Sequence, residues 1–162
     1  MLFRSLASVK TISRADHVQA KLEAVLAGAD EAITLTIAGD VAEATAANVA
    51  IVVGGEGAGG GGSAGGQRLV TPPLSAGILA GTTRDWLLGP DGAAALRLPA
   101  REASIRPDDL LAADEAILCS SVAGILPLVV LDGRPIGGGR PGPWARRLRE
   151  AREAWIVAVS GV

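Results

Sequence analysis

The chain has 162 residues, 49% of them hydrophobic and 20% charged, which suits one globular domain with a buried core rather than a disordered or fibrous chain. Its formal net charge of −2 at pH 7 provides no basic footprint for nucleic acid or an anionic membrane. The one cysteine, Cys119, excludes an internal disulfide, and no apolar run approaches the roughly 18 residues that span a bilayer, so a cytoplasmic protein is expected.

The opening "MLFRSLASVK" has too short an apolar run for a signal peptide and no cleavage site follows, so it reads as ordinary chain. Next comes "SVKTIS", which holds Lys10, one of two lysines in a chain with thirteen arginines. A lysine retained against that bias suits a role arginine cannot fill, that of a nitrogen able to lose its proton and attack a carbonyl. Lys21 is retained too, in the polar pattern of a helix, so a merely solvated Lys10 stays open at this point.

"SRADHVQAKLEAVLAGAD" predicts an amphipathic helix with Ser13 as N-cap, Ala15, Val18, Leu22 and Val25 on one core-facing stripe, and Gly28 as its stop. His17, the only histidine, falls in the first turn beside Val18 and is assigned no role. "AITLTI" and "VAEATAANVAIVV", joined by "AGD", predict strands, the second interrupted around Thr45 to Ala47. Glu43 then stands in an otherwise apolar and small-residue stretch.

Gly54 to Gly66, "GGEGAGGGGSAGG", holds nine of the 22 glycines and predicts a flexible loop. Gly55, Gly57 and Gly60 match a dinucleotide-binding spacing, but "QRLVTPP" follows where a helix would be needed. Gly61, Ser63 and Gly65 match a nucleophile elbow, but the only histidine precedes the serine. Neither motif is sustained.

Leu69 and Val70 predict a short strand, and "GTTRDWLL" a helix opened by Gly81, Thr82 and Thr83. Free backbone N–H groups and threonine hydroxyls there form a cup for phosphate, although plain threonine capping explains the same residues. "REASI" and "EAILCSS" predict strands around the short helix "RPDDLLAAD", with Ser120 and Ser121 as a second small-residue anion site. "ILPLVVLDGRPIG" predicts a strand, an Asp132-Gly133 turn and a return, and "PWARRLREAREAWIVAV" a closing amphipathic helix. The mixture places the chain in the α/β class, with α+β character.

In order along the chain, "VKTISRADH", "GADEAITLTIAGDVAEATAANVAIV", "LVTPPLSAGILAGTTRD", "DLLAADEAILCSSVAGILPLVVLDGRPIG" and "GRPGP" resemble the class IV, or branched-chain-like, aminotransferases. These are pyridoxal 5′-phosphate enzymes of the D-amino acid aminotransferase fold (fold type IV). The resemblance runs from about Val9 to Arg149 and implies that residues 1–162 form one large C-terminal domain, with 54–66 as a flexible loop. It places the family's Schiff-base lysine on Lys10, its pyridine-nitrogen carboxylate on Glu43, and its motif asparagine on Asn48. The phosphate-holding groups fall on Thr82, Thr83 and Ser121.

Lysine's neutral amine can carry the cofactor and move a proton at the substrate's Cα, and a glutamate can keep the pyridine nitrogen protonated. The resemblance implies transfer of an amino group between a branched-chain-like amino acid and a 2-oxo acid. The 4-amino-4-deoxychorismate lyases of the same fold are the alternative, which Arg14 resembles equally, and a non-catalytic remnant or partner subunit is a third. Family members place a smaller N-terminal domain before the lysine. The expectation is therefore a homodimer, or a chain that needs that domain supplied, with small molecules as substrates and no metal, nucleic-acid or membrane partner.

Overall fold

Asn48–Val53, six residues buried without exception, are the centre of the molecule. Their β-branched and small side chains suit a strand covered on both faces. The computed structural model describes residues 15–54 and 66–161. Lys10, Ser13, Arg14 and most of the glycine-rich stretch lie outside the described residues.

Among the described residues, seven strands form one sheet. Strand β1 (Ile33–Leu35) pairs with β2 (Val41–Ala44), and β2 turns through Thr45 to Ala47 into β3 (Asn48–Val53). On one side β3 meets β2 and then β4 (Arg68–Thr71), and on the other it meets β6 (Glu115–Ser120) along most of its length. Strand β5 (Ala100–Glu102) runs parallel to β4. All other pairs in the sheet are antiparallel, including β6 with the edge strand β7 (Gly124–Leu128). Pro127 sits in β7, where an edge tolerates the missing N–H. Strands β8 (Val130–Leu131) and β9 (Arg134–Pro135) form a separate hairpin. Its turn has positive φ at both Asp132 and Gly133, the backbone that a two-residue hairpin loop demands.

Alternation along β3 and β6 splits the core. Val49, Ile51, Val53, Ala116 and Leu118 face one cluster, closed by Ile105, Leu110 and Ala113. The last two come from helix α3 (Pro107–Leu111) and the residues after it. Ala50, Val52, Ile117 and Cys119 face the other, closed by Trp86 and Leu87 of helix α2 (Thr82–Leu88) and by Ala145 and Leu148 of helix α4 (Pro143–Ser160). The result is a mostly antiparallel sheet with helices against both faces, the α+β side of the expected mixture.

Helix α4 is anchored by a buried acid. Glu115 Oε1 and Oε2 accept from Trp144 N at 2.8 Å and Ala145 N at 2.9 Å, so a negative charge meets the positive end of the helix and satisfies two orphan donors. Gly142 makes room for it, since a Cβ there would stand 2.1 Å from the Glu115 carboxyl carbon.

Helix α1 (Ala15–Leu26) departs from expectation. It ends as predicted, with Gly28 at φ +77°, but the stripe expected to face the core is turned outward. Val18 is 67% exposed and Leu22 and Val25 are 57% exposed. The inward face is instead His17, Ala20, Lys21 and Ala24, spaced i, i+3, i+4 and i+7. Two alanines on that face let the helix approach closely. Lys21 Nζ donates to the Asp30 carbonyl and lies 3.5 Å from Glu31 Oε2, so packing and pairing override the apolar period.

Glu31 in turn accepts from Thr45 Oγ1 and from Ala32 N, tying α1's exit to the β2–β3 turn. Burial pushes its carboxyl up, but the Thr45 and Ala32 donors and the Lys21 ammonium outweigh that and hold it below its ordinary value.

Two outcomes are expected. Glu115→Ala should lower stability by about 1–2 kcal/mol, as loss of a helix cap does, and Gly142→Ala should also destabilise, both read by thermal unfolding. A depressed carboxylate contributes stability above its unfolded pKa and loses it as pH falls through the lowered native value. The stability gap between wild type and Glu31→Gln should therefore be full at neutral pH and shrink as pH falls below the ordinary value of 4.5. A gap independent of pH would contradict the assignment.

Candidate active site

Residues directly opposed in an antiparallel pair share a face of the sheet. Glu43 is opposed to Asn48, and Asn48 to Cys119, so one row across β2, β3 and β6 carries a carboxylate, an amide and a thiol on the face that α2 covers. The short turn between β2 and β3 sets this row.

Glu43 is the charged member of the row, with its side chain 6% exposed. Its Oε2 accepts from Asn48 Nδ2 at 3.2 Å and from Leu79 N at 3.0 Å. Asn48 Nδ2 also donates to the Leu79 carbonyl at 3.0 Å. The loop before α2 is thereby stitched to the β2–β3 turn by the backbone of a single residue, Leu79, whose N–H donates to one side chain and whose carbonyl accepts from the other. Gly81, which precedes α2, is pressed against this network. A Cβ there would stand 2.0 Å from Asn48 Oδ1, so no larger residue fits without moving the asparagine. Glu43 Oε1 lies 3.2 Å from His17 Nε2.

The two threonines behind Gly81 differ. Thr82 is exposed, whereas Thr83 is 1% exposed and its Oγ1 has no hydrogen-bond partner among the described residues. Arg84 follows, buried, donating Nη2 to the Pro72 carbonyl at 2.7 Å and to Glu102 Oε1. Ser121 is exposed just beyond β6, two residues from Cys119 and so close in register to Asn48. Ser120 Oγ instead accepts from Ala123 N at 3.1 Å, inside the turn to β7. Burial pushes the Cys119 thiol up to about 12, against the pull of the Arg84 and Arg152 guanidiniums, so this cysteine is packing and not a nucleophile.

The structure thus gathers Glu43 and Asn48 into one contact, and the Asn48–Gly81 approach places the start of α2 against them. Lys10 lies outside the described residues. Sequence reading missed the Leu79 N–H and His17. No residue type announces a backbone donor; the histidine had a signal, since Ala20 and Ala24 mark the close-packed face on which it sits. Among the described residues no cluster of histidine, cysteine and acidic side chains suits a metal ion, and no helix is long and apolar enough to cross a membrane.

Known proteins supply the context. The chain is 34% identical over 134 residues to a probable branched-chain-amino-acid aminotransferase of Aquifex aeolicus, covering 81% of this chain and 38% of that one. It is 36% identical over 92 residues to a D-alanine aminotransferase of Staphylococcus aureus, covering 57% of this chain and 32% of that one. The pyridoxal-phosphate form of the branched-chain amino acid aminotransferase from Thermobaculum terrenum superposes with a TM-score of 0.78 at 31% identity, over 91% of this chain and 45% of that one. The chain therefore spans less than half the length of these relatives. Residues 3–130 match the amino-transferase class IV family as a whole, and with the sheet, the Glu43–Asn48 pair and the loop into α2 in place, the chain belongs to that family.

Proposed function

We propose that this chain is the cofactor-binding part of a pyridoxal 5′-phosphate-dependent aminotransferase that moves an amino group between a branched-chain-like amino acid and a 2-oxo acid. The observation that carries the reading is the buried Glu43 carboxylate, held by Asn48 and by the Leu79 N–H. A buried carboxylate is costly unless it is paired, and one fixed in place is suited to hold a positive ring nitrogen.

The residues present fit the cofactor. Glu43 would hold the ring nitrogen protonated, and Asn48 orients Glu43. Thr82, Thr83 and Ser121 would take the phosphate: Thr83 Oγ1 is a buried hydroxyl without a partner among the described residues, which costs about 1–3 kcal/mol until something accepts from it or donates to it. When bound, the cofactor supplies an electron sink for a carbanion at the substrate's Cα. Lys10 would carry the cofactor and move the proton at that carbon, work that needs an amine able to become neutral. Gly81 keeps the loop close enough to Asn48 for the two halves of the site to act as one.

The lyase alternative drew on Arg14, outside the described residues, and the curated relatives described above are named as aminotransferases. In each relative the unmatched part is longer than the part this chain matches, and we propose that a counterpart of it closes the site, covers the phosphate and completes the active dimer.

Three outcomes test this reading. Purified protein mixed with pyridoxal phosphate should develop a visible absorption band that Lys10→Ala lacks; identical spectra would remove Lys10 from the site. In a complemented, active form saturated with cofactor, Glu43→Gln should lose about a hundredfold in turnover, the usual scale for one preorganised electrostatic group. Unchanged turnover would make Glu43 a structural acid only. The 162-residue chain alone should bind cofactor weakly and turn over little, and should gain in both when the unmatched part of a relative is supplied. Robust turnover of the chain alone, followed in parallel with an amino acid plus 2-oxoglutarate and with aminodeoxychorismate, would refute the need for a second part and show which substrate is used.

A further inference from the structure

The inward face of α1 is the small and polar one, and His17 is its first member. On this face Ala24 is buried and Ala20 half-buried, and the first turn of the helix reaches β2 through His17. His17 Nε2 comes to 3.2 Å from Glu43 Oε1 across 26 residues of sequence, with the two side chains 27% and 6% exposed. The carboxylate is thus divided. Fixed donors from Asn48 and the Leu79 backbone hold Oε2, while a titratable side chain on a separate element faces Oε1.

We propose that His17 is a positioning residue for Glu43, donating Nε2–H to Oε1 so that the carboxylate is oriented from both sides toward a ring nitrogen. This rests on the reading of Glu43 given above. Each oxygen of a carboxylate has two lone-pair directions, so a donor on Oε1 shares that oxygen with the cofactor nitrogen rather than excluding it. Removing the imidazole takes away one of the groups that orient the carboxylate, and the ring nitrogen meets a less well-set acceptor.

The chain's only histidine makes the test specific, because imidazole-labelled protein gives one residue's signals. In the cofactor-free 162-residue protein with ¹⁵N-histidine, Nε2 should carry the proton at pH 8, with its N–H resonance protected from exchange and shifted downfield by the carboxylate. Glu43→Gln should move that resonance and weaken its protection while the circular dichroism stays unchanged. In a cofactor titration, His17→Leu should weaken pyridoxal phosphate binding by roughly tenfold, the scale of a hydrogen bond to a charged group. His17→Gln, which keeps a donor, should recover most of it. A 1-deaza analogue, with a C–H in place of the ring nitrogen, should bind wild type and His17→Leu alike. The proposal is overturned by an imidazole signal of a solvated side chain that ignores Glu43→Gln, by a bare Nε2 that accepts from a protonated Glu43, or by equal loss of both cofactors in His17→Leu. Failure of the wild type to bind pyridoxal phosphate would defeat the functional reading, and the proposal with it, even where the imidazole signals establish the His17–Glu43 bond.

Discussion

A carboxylate nearly removed from water must have its lone pairs met or it unfolds its surroundings. Glu43 imposes that constraint on this chain. Leaving such a group unpaired costs several kcal/mol, a large part of the 5–15 kcal/mol by which domains are stable. Among the described residues, partners reach it from three separate elements: Asn48 from the next strand, Leu79 from the loop before α2, and His17 from α1. The β2–β3 register, the approach of Gly81 to Asn48 and the inward turn of α1's polar face all serve one acid.

A second buried glutamate shows what a purely structural solution looks like. Both oxygens of Glu115 accept from backbone N–H groups at the start of α4, and Gly142 gives the carboxylate its space. Neither partner can titrate or be exchanged for a ligand without breaking the helix end. Glu43 differs in that one oxygen is held by fixed donors while the other faces an imidazole, an arrangement that tolerates sharing. The contrast between the two acids is what singles out Glu43, among the described residues, as the candidate for the site.

The strands were legible because β3 and β6 are buried on both faces and built from valine, isoleucine, alanine and leucine, and because small residues break the run between Ala44 and Asn48. Glu43 was legible as an acid in an apolar setting, and the resemblance named Asn48 beside it. The orientation of α1 was not legible. Its apolar stripe at Val18, Leu22 and Val25 obeys the helical period, yet the alanine and lysine face packs inward, since close approach and the Lys21 contacts to Asp30 and Glu31 favour it. Leu79 could not be found from side-chain chemistry, because its contribution is a peptide N–H. Thr82 and Thr83 read as equivalent neighbours, and the rotation of about 100° between successive helical residues leaves one exposed and one buried.

The central claim is that Glu43 is an anion placed to keep a cofactor's ring nitrogen protonated. Its most direct measurement is the ¹⁵N resonance of pyridoxal phosphate labelled at that nitrogen and bound to this protein at neutral pH. The account predicts the shift of a protonated pyridinium in wild type and that of a neutral pyridine in Glu43→Gln. A neutral nitrogen in both proteins, or a protonated one in both, would contradict it.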